Sequence, residues 1–265
     1  MTNYISKEIP LWEDQDFPTV TAYLPTQKTQ NCAIVILPGG AYCFRAEHEG
    51  KGYAEFFAAH GIVSFVVNYR CKEDKFPLPL LDARRAIQLV RYHAQTYHID
   101  PCKIAIMGSS AGGHLAALTS VYDKPISSEH PDAMDSISFK PNAQILCYPV
   151  IKLLGKGITH FDSGRNLLGE NHALLAEELS PDLIAASNAP QAFIWHTFED
   201  SAVNVINSID YTRRLKECGV STELHIFPKG HHGLGLAEGE DDVSRYVSKW
   251  KDLLIDWLYM IDFCR

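Results

Sequence analysis

No apolar run in this 265-residue chain approaches the ~20 residues that a membrane-spanning helix requires. The amino terminus, MTNYISKEIPLWEDQDFP, has Lys7 but no apolar stretch before its acidic residues, so it does not read as a secretory leader. Positive charge is also scarce: 24 Lys and Arg stand against 32 Asp and Glu, a net charge of −8. Such a surface makes neither nucleic acid nor an anionic membrane an expected partner. The seven cysteines (32, 43, 71, 102, 147, 218 and 264) are odd in number, scattered and without a CxxC pair. That pattern argues against a disulfide framework and a thiolate zinc site, and it fits a reducing cytoplasm. No HxH or HExxH spacing occurs, so no metal is expected. No G-x-x-x-x-G-K-[ST] is present, and GLGLAEG (233–239) lacks both the spacing and the preceding strand of a dinucleotide fingerprint. No cofactor is therefore expected. Repeats, low-complexity tracts and Gly-, Ser- or Pro-rich linkers are missing too, which predicts one domain over residues 1–265.

What is present is an alternation of two apolar patterns. Hydrophobic residues make up 46% of the chain and charged residues 21%, ordinary for a protein with a substantial core. Short runs rich in apolar and β-forming residues read as strands: CAIVIL (32–37), IVSFVVNY (62–69), KIAIM (103–107), NAQILCY (142–148), QAFIWHT (191–197) and TELHIF (222–227). Between them, residues 52–60, 80–97, 110–120, 204–218 and 240–260 read as helices, the first closed by Gly61. Strands apolar throughout that alternate with helices predict a mostly parallel sheet covered on both faces. Residues 151–190 break the rhythm with four glycines, little periodicity and two prolines. They read as a partly helical excursion over one end of the sheet, a lid or substrate wall.

The stretch KIAIMGSSAGGH (103–114) carries the strongest chemical signal. It fits G-x-S-x-G only with Ser110 at the centre, because Ser109 would be flanked by Met107 and Ala111. The reason is steric: a nucleophile on a sharp strand-to-helix turn leaves no room for side chains two residues to either side. Chance supplies about 0.07 such matches in a chain of this composition. The turn also puts Ser110 at a helix N-terminus, where amides and the helix dipole favour a developing oxyanion.

A serine hydroxyl needs a general base, normally His oriented by a carboxylate, in the chain order Ser, Asp or Glu, His. Asp200, in IWHTFED, follows the strand 191–197, with Glu199 and Asp182 as rivals. His232, in FPKGHHGLG, follows the strand 222–227 and is preferred to His231, which is assigned to the pocket or to solvent. His114 is expected to pack or cap nearby. Pro38-Gly39-Gly40-Ala41-Tyr42 follows the strand 32–37, where oxyanion donors are required, so Gly40, Ala41 and Ala111 are the candidate donors. Tyr42, Phe44 and His231 are the candidate substrate contacts.

LPGGAY (37–42), VVNYR (66–70), DARRAIQLVRYHA (82–94), GSSAGGHLAA (108–117), YPVI (148–151), HTFEDSAVNV (196–205) and ELHIFPKGHHGLGLA (223–237) together resemble the α/β-hydrolase superfamily. They are closest in kind to its bacterial esterase/lipase branch of acetyl esterases and acetylxylan esterases. The resemblance implies an α/β-hydrolase fold and a serine esterase acting on small-molecule short-acyl esters, with acetylated sugars or xylo-oligosaccharides as the expected substrates. Two departures stand out: PGGA lacks a third glycine, and Asp200-Ser201-Ala202-Val203-Asn204 lacks the proline of D-x-x-V-P. A formamidase-like or prolyl-peptidase-like amidase on the same scaffold, and a catalytically silent binding protein, are the alternatives. A homo-oligomer is left open.

Overall fold

The computed structural model describes residues 2–128 and 130–265. Eight strands form one sheet in the order β1-β2-β4-β3-β5-β6-β7-β8. They are β1 (Tyr4–Pro10), β2 (Thr19–Pro25), β3 (Ala33–Leu37), β4 (Val63–Asn68), β5 (Ile104–Ser109), β6 (Ala143–Cys147), β7 (Ala192–Thr197) and β8 (Thr222–Phe227). The pairs β1–β2 and β2–β4 are antiparallel, and all pairs from β4 to β8 are parallel.

The period-2 alternation of a strand explains why its core members are apolar throughout. In β3, Ala33, Val35 and Leu37 enter one core cluster while Ile34 and Ile36 enter the other. The same division separates Ile104 and Ile106 from Ala105 and Met107 in β5, and Ile194 from Phe193 and Trp195 in β7. One layer is covered by α2 (Leu78–Tyr92), α3 (Ser110–Val121) and α7 (Ile206–Glu217). The other is covered by α1 (Glu47–Ala59), α8 (Asp242–Val247) and α9 (Trp250–Met260). Gly61, at φ +71°, closes α1 as its position implied, with its amide on the Ala58 carbonyl.

The structure departs from the sequence reading at both ends of the chain. Two strands, β1 and β2, precede the first one expected. The edge strand β1 is mostly exposed, and its Ser6, Lys7 and Glu8 give it no apolar signal. Residues 240–260 form two helices, α8 and α9, divided at Ser248 and Lys249. Residues 151–190 connect β6 to β7 and contain three short helices, α4 (Phe161–Leu168), α5 (His172–Leu175) and α6 (Pro181–Ile184). Their Leu153, Leu167, Leu168, Ala176 and Leu179 are buried in the same cluster as α2 and α3, so this excursion is anchored in the core. No helix among the described residues is long and apolar enough to cross a membrane.

Trp250 sits at the centre of the second layer. It stacks on Trp195 with ring centroids 5.0 Å apart, meets Tyr53 edge-on at 5.9 Å, and donates from Nε1 to the Gly235 carbonyl at 3.2 Å. Trp250→Ala is expected to cost about 3–5 kcal/mol of stability, read as a lower urea midpoint. An unchanged midpoint would contradict this account of the layer.

Candidate active site

Ser110 lies at the junction of β5 and α3 with φ +53°, a left-handed conformation that is strained for any residue but glycine. The turn is possible because both flanking positions lack a Cβ. A Cβ on Gly108 would stand 2.1 Å from the Gly112 carbonyl oxygen, and one on Gly112 would stand 2.1 Å from that of Leu37. The adjacent serine points away from this site: Ser109 is fully buried, with Oγ 2.9 Å from the Tyr53 hydroxyl.

β7 and β8 deliver the other two groups. His232 Nε2 is 2.8 Å from Ser110 Oγ, and His232 Nδ1 is 2.6 Å from Asp200 Oδ2. A carboxylate only accepts, so Nδ1 carries the proton and Nε2 is left to accept from the serine hydroxyl. The Asp200 side chain is completely buried. Burial alone would raise its carboxyl pKa. Hydrogen bonds from His196 and His232, together with the Val203 amide, overcome that and hold it well below the usual carboxylate range. The amides of Ala202 and Val203 both donate to Oδ1, at 3.0 and 2.8 Å, closing the turn that D-x-x-V-P would otherwise stiffen.

The rivals fall elsewhere. Asp182 pairs with Lys152, and His231 is exposed with its ring on the carbonyl of His232. Phe44 is 60% exposed beside Gly40.

Tyr42 is a correction. As a candidate substrate contact it should face the pocket, but it is fully buried. Its hydroxyl donates to His114 Nδ1 at 2.7 Å, and His114 Nε2 donates to the Leu179 carbonyl at 2.8 Å. Tyr42 therefore anchors the loop that carries the candidate oxyanion donors Gly40 and Ala41. The left-handed φ of +57° turns its side chain inward, which an aromatic letter in a loop does not reveal.

The loop itself runs Gly39, Gly40 (φ +126°) and Ala41 (φ +53°). Ala41 thus takes the conformation that a third glycine would adopt freely, at a cost of about 1–2 kcal/mol. Asn166 of α4 donates to the Ala41 carbonyl at 2.8 Å and fixes that peptide. Ala111 is in the first turn of α3, where no intrahelical acceptor exists for its amide. Three other residues were missed from the sequence. His196 is buried, with Nε2 3.2 Å from Asp200 Oδ2, and only its i,i+4 spacing hinted at the contact. Tyr148 meets the His232 ring edge-on at 5.0 Å, and Glu49 accepts from the Gly39 amide.

A sheet of order 1-2-4-3-5-6-7-8 with serine after β5, carboxylate after β7 and histidine after β8 defines an α/β hydrolase. The BD-FAE family model matches residues 20–215, and the chain belongs to that family. It is similar to endo-1,4-beta-xylanase B of Butyrivibrio fibrisolvens, 36% identical over 246 residues that cover 87% of this chain and 38% of that protein. It is also similar to the acetylxylan esterase of Xylanibacter ruminicola, 31% identical over 240 residues, 87% of this chain and 47% of that one. The chain thus spans less than half the length of these curated relatives. Among solved structures, the acetyl ester-xyloside bifunctional hydrolase of Caldicellulosiruptor lactoaceticus superposes with a TM-score of 0.89 at 40% identity, covering 97% of each chain.

Burial pushes the His114 imidazole down to about 4 from 6.5. Its neutral form stabilises the fold fully above pH 6.5, and that contribution is lost as pH falls toward 4. Between pH 7 and pH 5 the loss is about 2 kcal/mol. Urea unfolding at both pH values should show a flatter dependence in His114→Gln than in wild type. Equal slopes would contradict the assignment.

Proposed function

We propose that this chain is a serine carboxylic-ester hydrolase. The observation that carries the reading is the continuous line of hydrogen bonds from Ser110 Oγ through His232 to Asp200 Oδ2, at 2.8 and 2.6 Å. Ser110 attacks the ester carbonyl carbon while His232 Nε2 takes its proton. Asp200 holds the imidazole tautomer and balances the imidazolium that forms. The amides of Gly40, Ala41 and Ala111 donate to the oxyanion, and each such donor typically contributes ~3 kcal/mol to the transition state. Collapse expels the alcohol, which takes the proton from His232. Water then attacks the acyl-enzyme with His232 as base, releasing the acid and restoring Ser110.

The favoured substrates are short-acyl esters, acetyl above all, on sugars or xylo-oligosaccharides. Support comes from the likeness to an acetylxylan esterase and to an acetyl ester-xyloside hydrolase, together with exposed Phe44 next to the oxyanion loop and exposed Phe198 next to the Asp200 turn. Flat apolar rings of this kind suit a pyranose face.

A panel of acetyl, butyryl and octanoyl nitrophenyl esters, acetylated xylose and an acyl anilide tests both levels. Ser110→Ala should lower kcat/KM by about a thousandfold or more, and acetyl esters should exceed octanoyl. Near wild-type hydrolysis by Ser110→Ala would sink the mechanism. A preference for octanoyl would reject the acetyl-sugar assignment, and faster anilide turnover would make the chain an amidase.

A further inference from the structure

One buried carboxylate has no part in the reaction just described. Glu49 lies in the first turn of α1 with its side chain 3% exposed, and both of its oxygens are engaged. The Gly39 amide donates to Oε2 at 2.8 Å, and the Tyr148 hydroxyl donates to Oε1 at 2.6 Å. A glutamate three residues past the N-cap ordinarily turns back to cap its own helix. Here it reaches instead to the base of the oxyanion loop. The fit is tight: a Cβ on Gly39 would stand 2.6 Å from Glu49 Oε2 and 3.0 Å from Ser110 Cβ.

Tyr148 extends the contact to the opposite side of the site. While the hydroxyl donates to Glu49, its oxygen accepts from the Gly235 amide at 3.0 Å, in the loop that carries His232. Its ring packs edge-on against the His232 imidazole, centroids 5.0 Å apart at 71°. Tyr148 holds φ +37°, a conformation sustained only where surrounding contacts fix it. Tyr53 joins the same group, 3.3 Å from the Tyr148 hydroxyl and 2.9 Å from Ser109 Oγ. Thus one carboxylate and one phenol bridge the oxyanion loop and the histidine loop beneath Ser110.

We propose that Glu49 and Tyr148 are positioning residues, a clasp that holds the oxyanion loop and the His232 loop in one mutual geometry. The proposal rests on the hydrolase reading above. Neither residue reacts. Their effect is on how well the amides and the imidazole are aimed at the tetrahedral intermediate, so it falls on kcat and leaves KM nearly alone. Because the two act through one hydrogen bond, removing either should undo most of what removing both undoes. Glutamine can stand in for Glu49, its oxygen accepting from Gly39 while its amide donates to Tyr148, which then turns its proton toward Tyr53. Alanine cannot.

The experiment measures kcat and KM for p-nitrophenyl acetate with wild type, Glu49→Gln, Glu49→Ala, Tyr148→Phe and the Glu49→Ala/Tyr148→Phe double variant. Rates are expressed per site titrated by a fluorophosphonate probe, so that misfolded molecules do not count. Glu49→Ala and Tyr148→Phe should each lose about tenfold or more in kcat with KM within about threefold. The double variant should lose little more than the worse single one, and Glu49→Gln should stay within about threefold of wild type. An active wild type whose single variants keep kcat within about twofold, or whose losses add in the double variant or fall on KM, overturns the clasp alone. A wild type that neither hydrolyses the ester nor takes up the probe overturns the hydrolase reading, and the clasp with it.

Discussion

The approach of α3 to the ends of β5 and β3 is the contact on which the site depends. The helix begins at Ser110 itself, so the backbone must reverse within one residue. It can do so only because Gly108 and Gly112 leave no Cβ in a gap of 2.1 Å. This closeness does two things together. It forces Ser110 into a left-handed conformation at the strand end, and it aims the first amides of α3 back over the sheet edge, where a developing negative charge gains most. The parallel order β3-β5-β6-β7-β8 then brings every relevant loop to that edge.

Two buried carboxylates organise the space around the serine, and they are handled differently. Asp200 is stabilised from several directions: two histidine rings and two backbone amides surround it, which offsets the desolvation a buried charge suffers. Glu49 is held by one amide and one phenol, each from a loop that must be placed correctly. Strain is concentrated in the same region. Ala41, Tyr42, Ser110 and Tyr148 are all non-glycine residues with positive φ. Such conformations persist only where packing and hydrogen bonds over-determine them, here Asn166 on Ala41 and His114 on Tyr42.

Much of this is legible in the amino-acid sequence, for physical reasons. The β3, β5, β6 and β7 strands are buried on both faces, so most of their positions are apolar and the pattern is loud. The serine doublet resolves by register, because the steric need for glycine at two fixed offsets is written directly in GSSAGG. Asp200 and His232 follow from strand ends and chain order. The misses are equally instructive. β1 is a polar edge strand that owes its existence to pairing with β2, a non-local fact that its own residues do not carry. Tyr42 reads as a substrate contact, whereas its positive φ and its hydrogen bond to His114 bury it. Glu49 lies outside the helix 52–60 that the sequence predicts, and only the start of α1 at Glu47 places it in a first turn. His196 lies four positions before Asp200, yet only the fold of the turn brings the ring onto the carboxylate.

The central claim is that Ser110 alone, and not its neighbour, is the group activated by His232. The direct measurement is mass-spectrometric mapping of the residue modified by a fluorophosphonate probe, in wild type and in His232→Ala. The account predicts one label per chain, located on Ser110 in wild type and lost in His232→Ala. A label on Ser109 or another hydroxyl, or labelling of Ser110 that does not require His232, would contradict it.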